Sequence, residues 1–161
     1  QDLTALATIS MIVISAGAKA ILHIPKTLEM METLGVPVLG YRTKEFPAFY
    51  SRESGCFGIH LVDSSRDIVR IYKENVSAGL SAAILVANPV LEKDEIPANE
   101  MESIIESACK TAADQNIIGK ELTPFLLKVI VEKTGGKSLE TNKALAINNI
   151  QLGIEIAKEL A

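Results

Sequence analysis

The chain has no tryptophan, and aromatic residues of all kinds make up only 4% of it. Its interior must therefore be aliphatic, built from Ile, Leu, Val and Ala within an apolar fraction of 48% over 161 residues. That is enough for one domain with a real core. Basic charge is not in excess. A net charge of −4 argues against a nucleic-acid partner, because neutralising phosphates requires a basic face. No apolar run reaches membrane-spanning length, so a soluble, cytoplasmic protein with no membrane partner is expected. Cys56 and Cys109, the only cysteines, have neither metal-ligand spacing nor the pattern of a disulfide framework, which fits a reducing compartment. Internal repeats and low-complexity segments are lacking too. The chain starts at Gln1 with no charged stretch before its first apolar run. A signal peptide is therefore not expected, and the abrupt start suggests a processed, cloned or excised piece of something longer.

What is present reads as alternating strands and helices. Residues 8–15 form a short continuous apolar run, as expected of a strand covered on both faces. Pro25 fits the first turn of a helix that runs through residues 27–32 and is stopped by Gly35. Residues 36–41 read as a second strand, with Pro37 at its start because proline cannot donate to a ladder. Asp63, Ser64 and Ser65 offer an N-cap to a helix carrying Ile68, Val69, Ile71 and Tyr72. Residues 81–87 read as a third strand, ended by Asn88-Pro89. Pro97 opens a long helix with Met101, Ile104, Ile105, Ala108 and Ala112 on one face. Thr123-Pro124 starts another, which Gly135-Gly136 stops, and the last helix opens at Ser138 or Leu139 and runs to the end. This order predicts a three-layer α/β fold, with a mainly parallel central sheet flanked by helices and a helix-rich C-terminal third. The sheet is small for its helices, so further strands are expected from outside these residues.

Two stretches carry candidate chemistry. The first is Ser15-Ala-Gly-Ala-Lys19, a lysine in a small-residue turn directly after the apolar run 9–14. Low-dielectric surroundings at the mouth of a buried strand disfavour a charged ammonium, and a neutral lysine is a nucleophile toward carbonyl carbon. The plainer reading of Lys19 is a solvated loop residue. The second stretch, residues 42–60, is the least regular and carries Arg42, Lys44 and Arg52 among Phe46, Phe49 and Tyr50. It reads equally as a surface loop pinned by aromatic packing or as a binding loop for an anionic group.

Several stretches, in order along the chain, resemble the pseudouridine-5′-phosphate glycosidase family, also called indigoidine synthase A-like. They are residues 15–22, 25–29, 34–38 with Gly40-Tyr41, 45–52 with Ser54-Gly55, and Ala87-Asn-Pro89. The C-terminal part adds residues 123–127 and 134–139, Asn142 and Asn148-Asn149. Residues 1–161 thus resemble the C-terminal portion of a single glycosidase-like α/β domain. The resemblance implies reversible cleavage of the C–C glycosidic bond of pseudouridine 5′-phosphate, giving uracil and ribose 5-phosphate through a lysine Schiff base. Such a bond has no leaving oxygen or nitrogen to protonate, so the two-carboxylate route of ordinary glycosidases suits it poorly.

The position matching the family's Schiff-base lysine is Lys19, Asn142 matches an active-site asparagine, and Asp2 matches an aspartate that contacts substrate. By themselves Asn142 also reads as a helix first-turn residue and Asp2 as an exposed N-cap. His23 stands where many relatives have an acid, and it also reads as a surface or helix-capping histidine. The resemblance further implies a divalent metal, commonly Mn2+, and a homo-oligomer, a trimer. The metal-holding aspartate, the general-acid glutamate and a second active-site lysine are expected upstream of Gln1, so no metal ligand is assigned within these residues. An alternative is a non-catalytic sugar-phosphate-binding or oligomerisation domain of the same fold. A third reading is a Schiff-base lyase or aldolase acting on another phosphorylated sugar.

Overall fold

The computed structural model describes residues 2–18 and 23–161. Four strands, β1 (Ile12–Ser15), β2 (Val38–Tyr41), β3 (His60–Val62) and β4 (Ile84–Ala87), form one sheet in the order β1-β4-β2-β3. All three pairings are parallel. β4 sits inside the sheet and is buried at every residue, whereas β1 is only half-buried throughout. The described residues also form six α-helices: α1 (Asp2–Thr8), α2 (Ile24–Thr33), α3 (Ser65–Ser77), α4 (Ala98–Asp114), α5 (Leu122–Lys133) and α6 (Lys137–Leu160).

The two faces of the sheet follow from strand alternation. Ile84 and Val86 of β4 point with Ile12 and Ile14 of β1 toward Ile68 and Val69 of α3 and Leu152 and Ile156 of α6. Leu85, Ala87 and Val13 point the other way, toward Leu3 and Leu6 of α1 and Ile24 and Met31 of α2. That is the expected three-layer arrangement. A separate aliphatic cluster joins α4 and α5 through Ala108, Ala112, Leu126 and Ile130, and takes in Tyr50 and Ile96.

Local signals explain most element ends. Ser64 caps α3: its Oγ accepts from the Asp67 amide at 3.2 Å and donates to the Asp67 carboxylate at 2.6 Å. Gly35, at φ +68, follows the C-cap of α2, a backbone region in which glycine has no steric penalty. Pro97 occupies the N-cap of α4, and α6 begins at Lys137 directly after Gly136.

The first strand is shorter than its apolar run predicts. Residues 2–8 are helical, Ile9 and Met11 are 47% and 38% exposed, and pairing starts only at Ile12. β1 pairs only with β4 among the described residues, so the burial on both faces that a central parallel strand enjoys is incomplete here. β3 is the opposite case: three residues paired to β2 within a segment whose sequence gave no strand signal.

Because Ile84 has no solvent exposure, Ile84→Ala is expected to lower the unfolding free energy by about 2–5 kcal/mol and Ile84→Val by about 0.5–1.5 kcal/mol. Urea denaturation followed by circular dichroism measures both. Equal losses from the two variants would show that β4 is not the packed centre of the sheet.

Candidate active site

Parallel pairing brings the carboxyl ends of the strands into one row. Ser15 of β1 pairs with Ala87 of β4, and Ala87 pairs with Gly40 of β2. Open α/β sheets bind ligands at this edge. Three of the connections that leave from it are the turn after Ser15, the 42–59 loop and the Asn88-Pro89 segment. They are tied to one another. The Asn88 amide donates to the Ser15 carbonyl at 2.8 Å and the Phe49 amide to the Ala16 carbonyl at 3.1 Å. Gly17 forms an antiparallel bridge with Ala48, and Ser15 Oγ donates to the Gly17 carbonyl at 2.9 Å.

Lys19 itself lies outside the described residues, which run to Ala18 and continue from His23. Asp2, the exposed first residue of α1, lines a cavity of about 480 Å3 together with Ser15, Gly17, Ala18, Thr27 and Phe46. The structure thus brings Asp2 to the flank of the lysine turn. Asn142 lies on α6, outside that cavity. It is an exposed residue in the first part of α6, one helical turn before Leu145. Leu145 is buried against Ala16 and Val90.

His23 is the N-cap of α2, where its Nδ1 accepts from the Lys26 amide at 3.3 Å. This is the helix-capping reading of that residue. The basic loop does not gather its charges. Arg42 lies over the Tyr41 ring at 4.8 Å and donates to the Asp63 carbonyl at 3.2 Å. Arg52 donates to the Val90 carbonyl at 2.6 Å, and its own amide donates to the Glu95 carboxylate at 2.7 Å. The open pocket of about 650 Å3 beside Arg52 is also lined by Glu45, Glu53, Glu92 and Glu95, so its field is unfavourable to a phosphate. Lys44 does not line it.

Glu45 has a local task. Its carboxylate accepts from the amides of Ser54 and Gly55 and so closes the middle of the loop. Tyr50 is buried, and that burial pushes its phenol above the ordinary value of 10.0, so the ring stays neutral near pH 7. Asn88, Asn148 and Asn149 were not singled out for a role by the sequence. The Asn88 side-chain Nδ2 donates to Asn149 Oδ1 at 2.9 Å and Asn148 Nδ2 donates to the Pro89 carbonyl at 3.1 Å, which fastens α6 to the crest. An Asn-Pro pair directly after a buried strand was the available signal. Both cysteines are free thiols, Cys56 half-buried and Cys109 exposed. Among the described residues no group of three His, Cys, Asp or Glu side chains is placed to hold a metal ion, and no helix is long and apolar enough to cross a membrane.

Residues 1–159 match the model of the family described as indigoidine synthase A like protein. A pseudouridine-5′-phosphate glycosidase of Mesorhizobium japonicum is 51% identical over 159 residues, which are 99% of this chain and 52% of that protein. The glycosidase of Solibacter usitatus is 48% identical, again over 99% of this chain and 53% of its own. Among solved structures, an indigoidine synthase A-like protein from Thermotoga maritima superimposes with a TM-score of 0.88 at 40% identity, covering 98% of this chain and 52% of its own. The prealnumycin C-glycosynthase AlnA, in complex with ribulose 5-phosphate, does so at 0.93 and 28% identity, covering 99% and 52%. The chain therefore spans about half the length of the relatives it matches.

Glu45→Ala should free the Ser54 and Gly55 amides and lower stability by about 1 kcal/mol, chiefly the cost of stranding the part-buried Ser54 donor. Hydrogen–deuterium exchange of residues 52–57 should rise in the variant. Unchanged exchange there would show that the loop is held by its aromatic packing instead.

Proposed function

The chain belongs to the indigoidine synthase A-like family, and on that premise we propose that it supplies the nucleophile-bearing part of a pseudouridine-5′-phosphate glycosidase. The observation that carries this reading is near-half identity to glycosidases over 99% of the chain. It is supported by the position of the lysine turn, which leaves the carboxyl edge of a parallel sheet beside a cavity that Asp2 lines.

In the proposed reaction the C1′–O4′ bond of the ribose breaks, with O4′ taking up a proton, and the neutral amine of Lys19 bonds to C1′ and gives up a proton. The nitrogen lone pair then forms a C=N bond as the C1′–C5 bond breaks. The electron pair passes to C5 of uracil, which takes up a proton. Water hydrolyses the iminium, releasing ribose 5-phosphate and the free amine. Covalent capture divides one difficult cleavage into two easier steps. Asn142 is proposed to hydrogen-bond sugar or base as a neutral amide, and Asp2 to contact the substrate; an amide offers both donor and acceptor without adding charge.

Proton delivery to the base is assigned to a glutamate outside these residues, together with a second active-site lysine. Two observations support that assignment: the chain spans about half the length of its relatives, and the Glu45 carboxylate is already engaged by two loop amides. A divalent metal, Mn2+, belongs to the same proposal with its ligand also outside; no step is routed through it. A cytoplasmic homo-oligomer, a trimer, completes the reading. The exposed apolar stripe Ile147, Ile150 and Ile154 on α6 supports further assembly.

Borohydride reduction in the presence of ribose 5-phosphate should leave a stable adduct on Lys19, read by peptide mass spectrometry, and Lys19→Ala should abolish it. An adduct on Lys26 or Lys44 with Lys19 unmodified would overturn the assignment.

A further inference from the structure

The two edges of the sheet differ. β3 is protected: it has three residues, His60 at its start is exposed, and Arg42 donates to the Asp63 carbonyl just past its end. A short strand carrying polar groups is a poor template for another strand. β1 has no such protection. Its sequence Ile-Val-Ile-Ser carries no charge, and it pairs only with β4 among the described residues. In a parallel ladder, alternate residues of a strand bond to the same neighbour. The Met11 and Ser15 carbonyls accept from the Ile84 and Asn88 amides at 2.9 and 2.8 Å, so the main-chain groups of Ile12 and Ile14 point outward from the sheet.

The flank of α6 continues this edge. A Cβ added at Gly153 would lie 3.5 Å from Ile14 Cδ1, which puts that side of the helix over β1. Glu159 faces α3, where it approaches Arg66. Ile150 and Ile154 lie about 60° and 100° round the helix from Gly153, whereas Glu159 lies about 120° round in the other sense. The two isoleucines, 62% and 51% exposed, therefore flank the open side of β1 and not α3. Ile9 and Met11, also exposed, border the same edge at its amino end.

We propose that this edge and the adjoining flank of α6 are the docking surface for the half of the relatives' length that this chain does not match, which adds a strand beside β1 and covers Ile150 and Ile154 with apolar side chains. The relatives carry that half in the same polypeptide. Two solved structures keep this fold in chains about twice as long. The outward amides and carbonyls of Ile12 and Ile14 give the added strand its register. Ile150 and Ile154 supply the apolar area that a strand of four residues lacks. This docking surface is independent of which lysine reacts.

The test is amide hydrogen exchange resolved to single residues, in the 161-residue chain and in a chimera that adds the part of the Mesorhizobium japonicum glycosidase this chain does not match. Exchange at Ile12 and Ile14 should be at least about tenfold slower in the chimera, while Val13 and Ser15, already bonded to β4, change less. Ile150→Lys combined with Ile154→Lys should leave the circular dichroism of the 161-residue chain unchanged and restore fast exchange at Ile12 and Ile14 in the chimera. Phe57→Lys, at an exposed residue near His60 on the β3 side of the sheet, should change neither. Unchanged exchange at Ile12 and Ile14 in the chimera, or protection that the two lysines do not disturb, overturns the docking surface. New protection at Leu61 instead would move it to β3. Slow exchange at both isoleucines in the 161-residue chain, with dimerisation seen by sedimentation, would make a second copy the occupant and overturn it as well. Should the chimera be insoluble, the two parts are refolded together as separate chains, and failure to form a folded complex in that form overturns it too.

Discussion

The insertion of β4 between β1 and β2 is the constraint on which the rest of the structure depends. Once Ile84–Ala87 pairs in parallel on both sides, Ser15 and Gly40 come into register with Ala87. Every connection that leaves the carboxyl edge then starts from the same row. The pairing also decides the two apolar layers, because β4 is buried on both faces and its residues alternate between α3 and α6 on one side and α1 and α2 on the other. A single buried strand thereby fixes the layers and aligns the three loops.

The two residues proposed to meet the substrate come from distant parts of the chain: Asp2 opens α1, and Asn142 lies in the first part of α6. α6 is fastened at the crest by two asparagine contacts, Asn149 to Asn88 and Asn148 to Pro89. It then crosses the face of the sheet to meet α3, where Glu159 and Arg66 approach to 3.6 Å. That ion pair is largely exposed, and pairs of this kind contribute little. The two amide contacts, reinforced by the burial of Leu145 and Leu152, set the position of the helix. The described residues bring no converging carboxylates to the lysine turn.

Much of this was legible in the sequence. Pro25, Ser64, Pro97 and the Gly135-Gly136 pair mark real element ends, because each acts through local backbone chemistry that needs no tertiary contact. The start of β1 was not legible, since an apolar run does not reveal whether a neighbouring strand exists to pair with it. β3 escaped because His60-Leu61-Val62 is too short to show a period. The anion-binding reading of the 42–60 loop fails for a related reason. Arg42 and Arg52 are close in sequence, yet one turns to Tyr41 and Asp63 while the other enters a pocket with four carboxylates. The neighbours that settle a charge's role lie 21 and 38 residues away in the chain. Lys19 stood out through its turn, and its chemical role came from resemblance to a family.

The central claim is that these residues hold the nucleophile of a C-glycosidic site and not its acid. Uracil release from pseudouridine 5′-phosphate with Mn2+ present tests it most directly, comparing the 161-residue chain with a chimera that adds the part of the Mesorhizobium japonicum glycosidase this chain does not match. The account predicts no release from the 161 residues alone, release from the chimera, and loss of that release in the chimera carrying Lys19→Ala. Release from the 161 residues alone, or a chimera that is indifferent to Lys19→Ala, would contradict it.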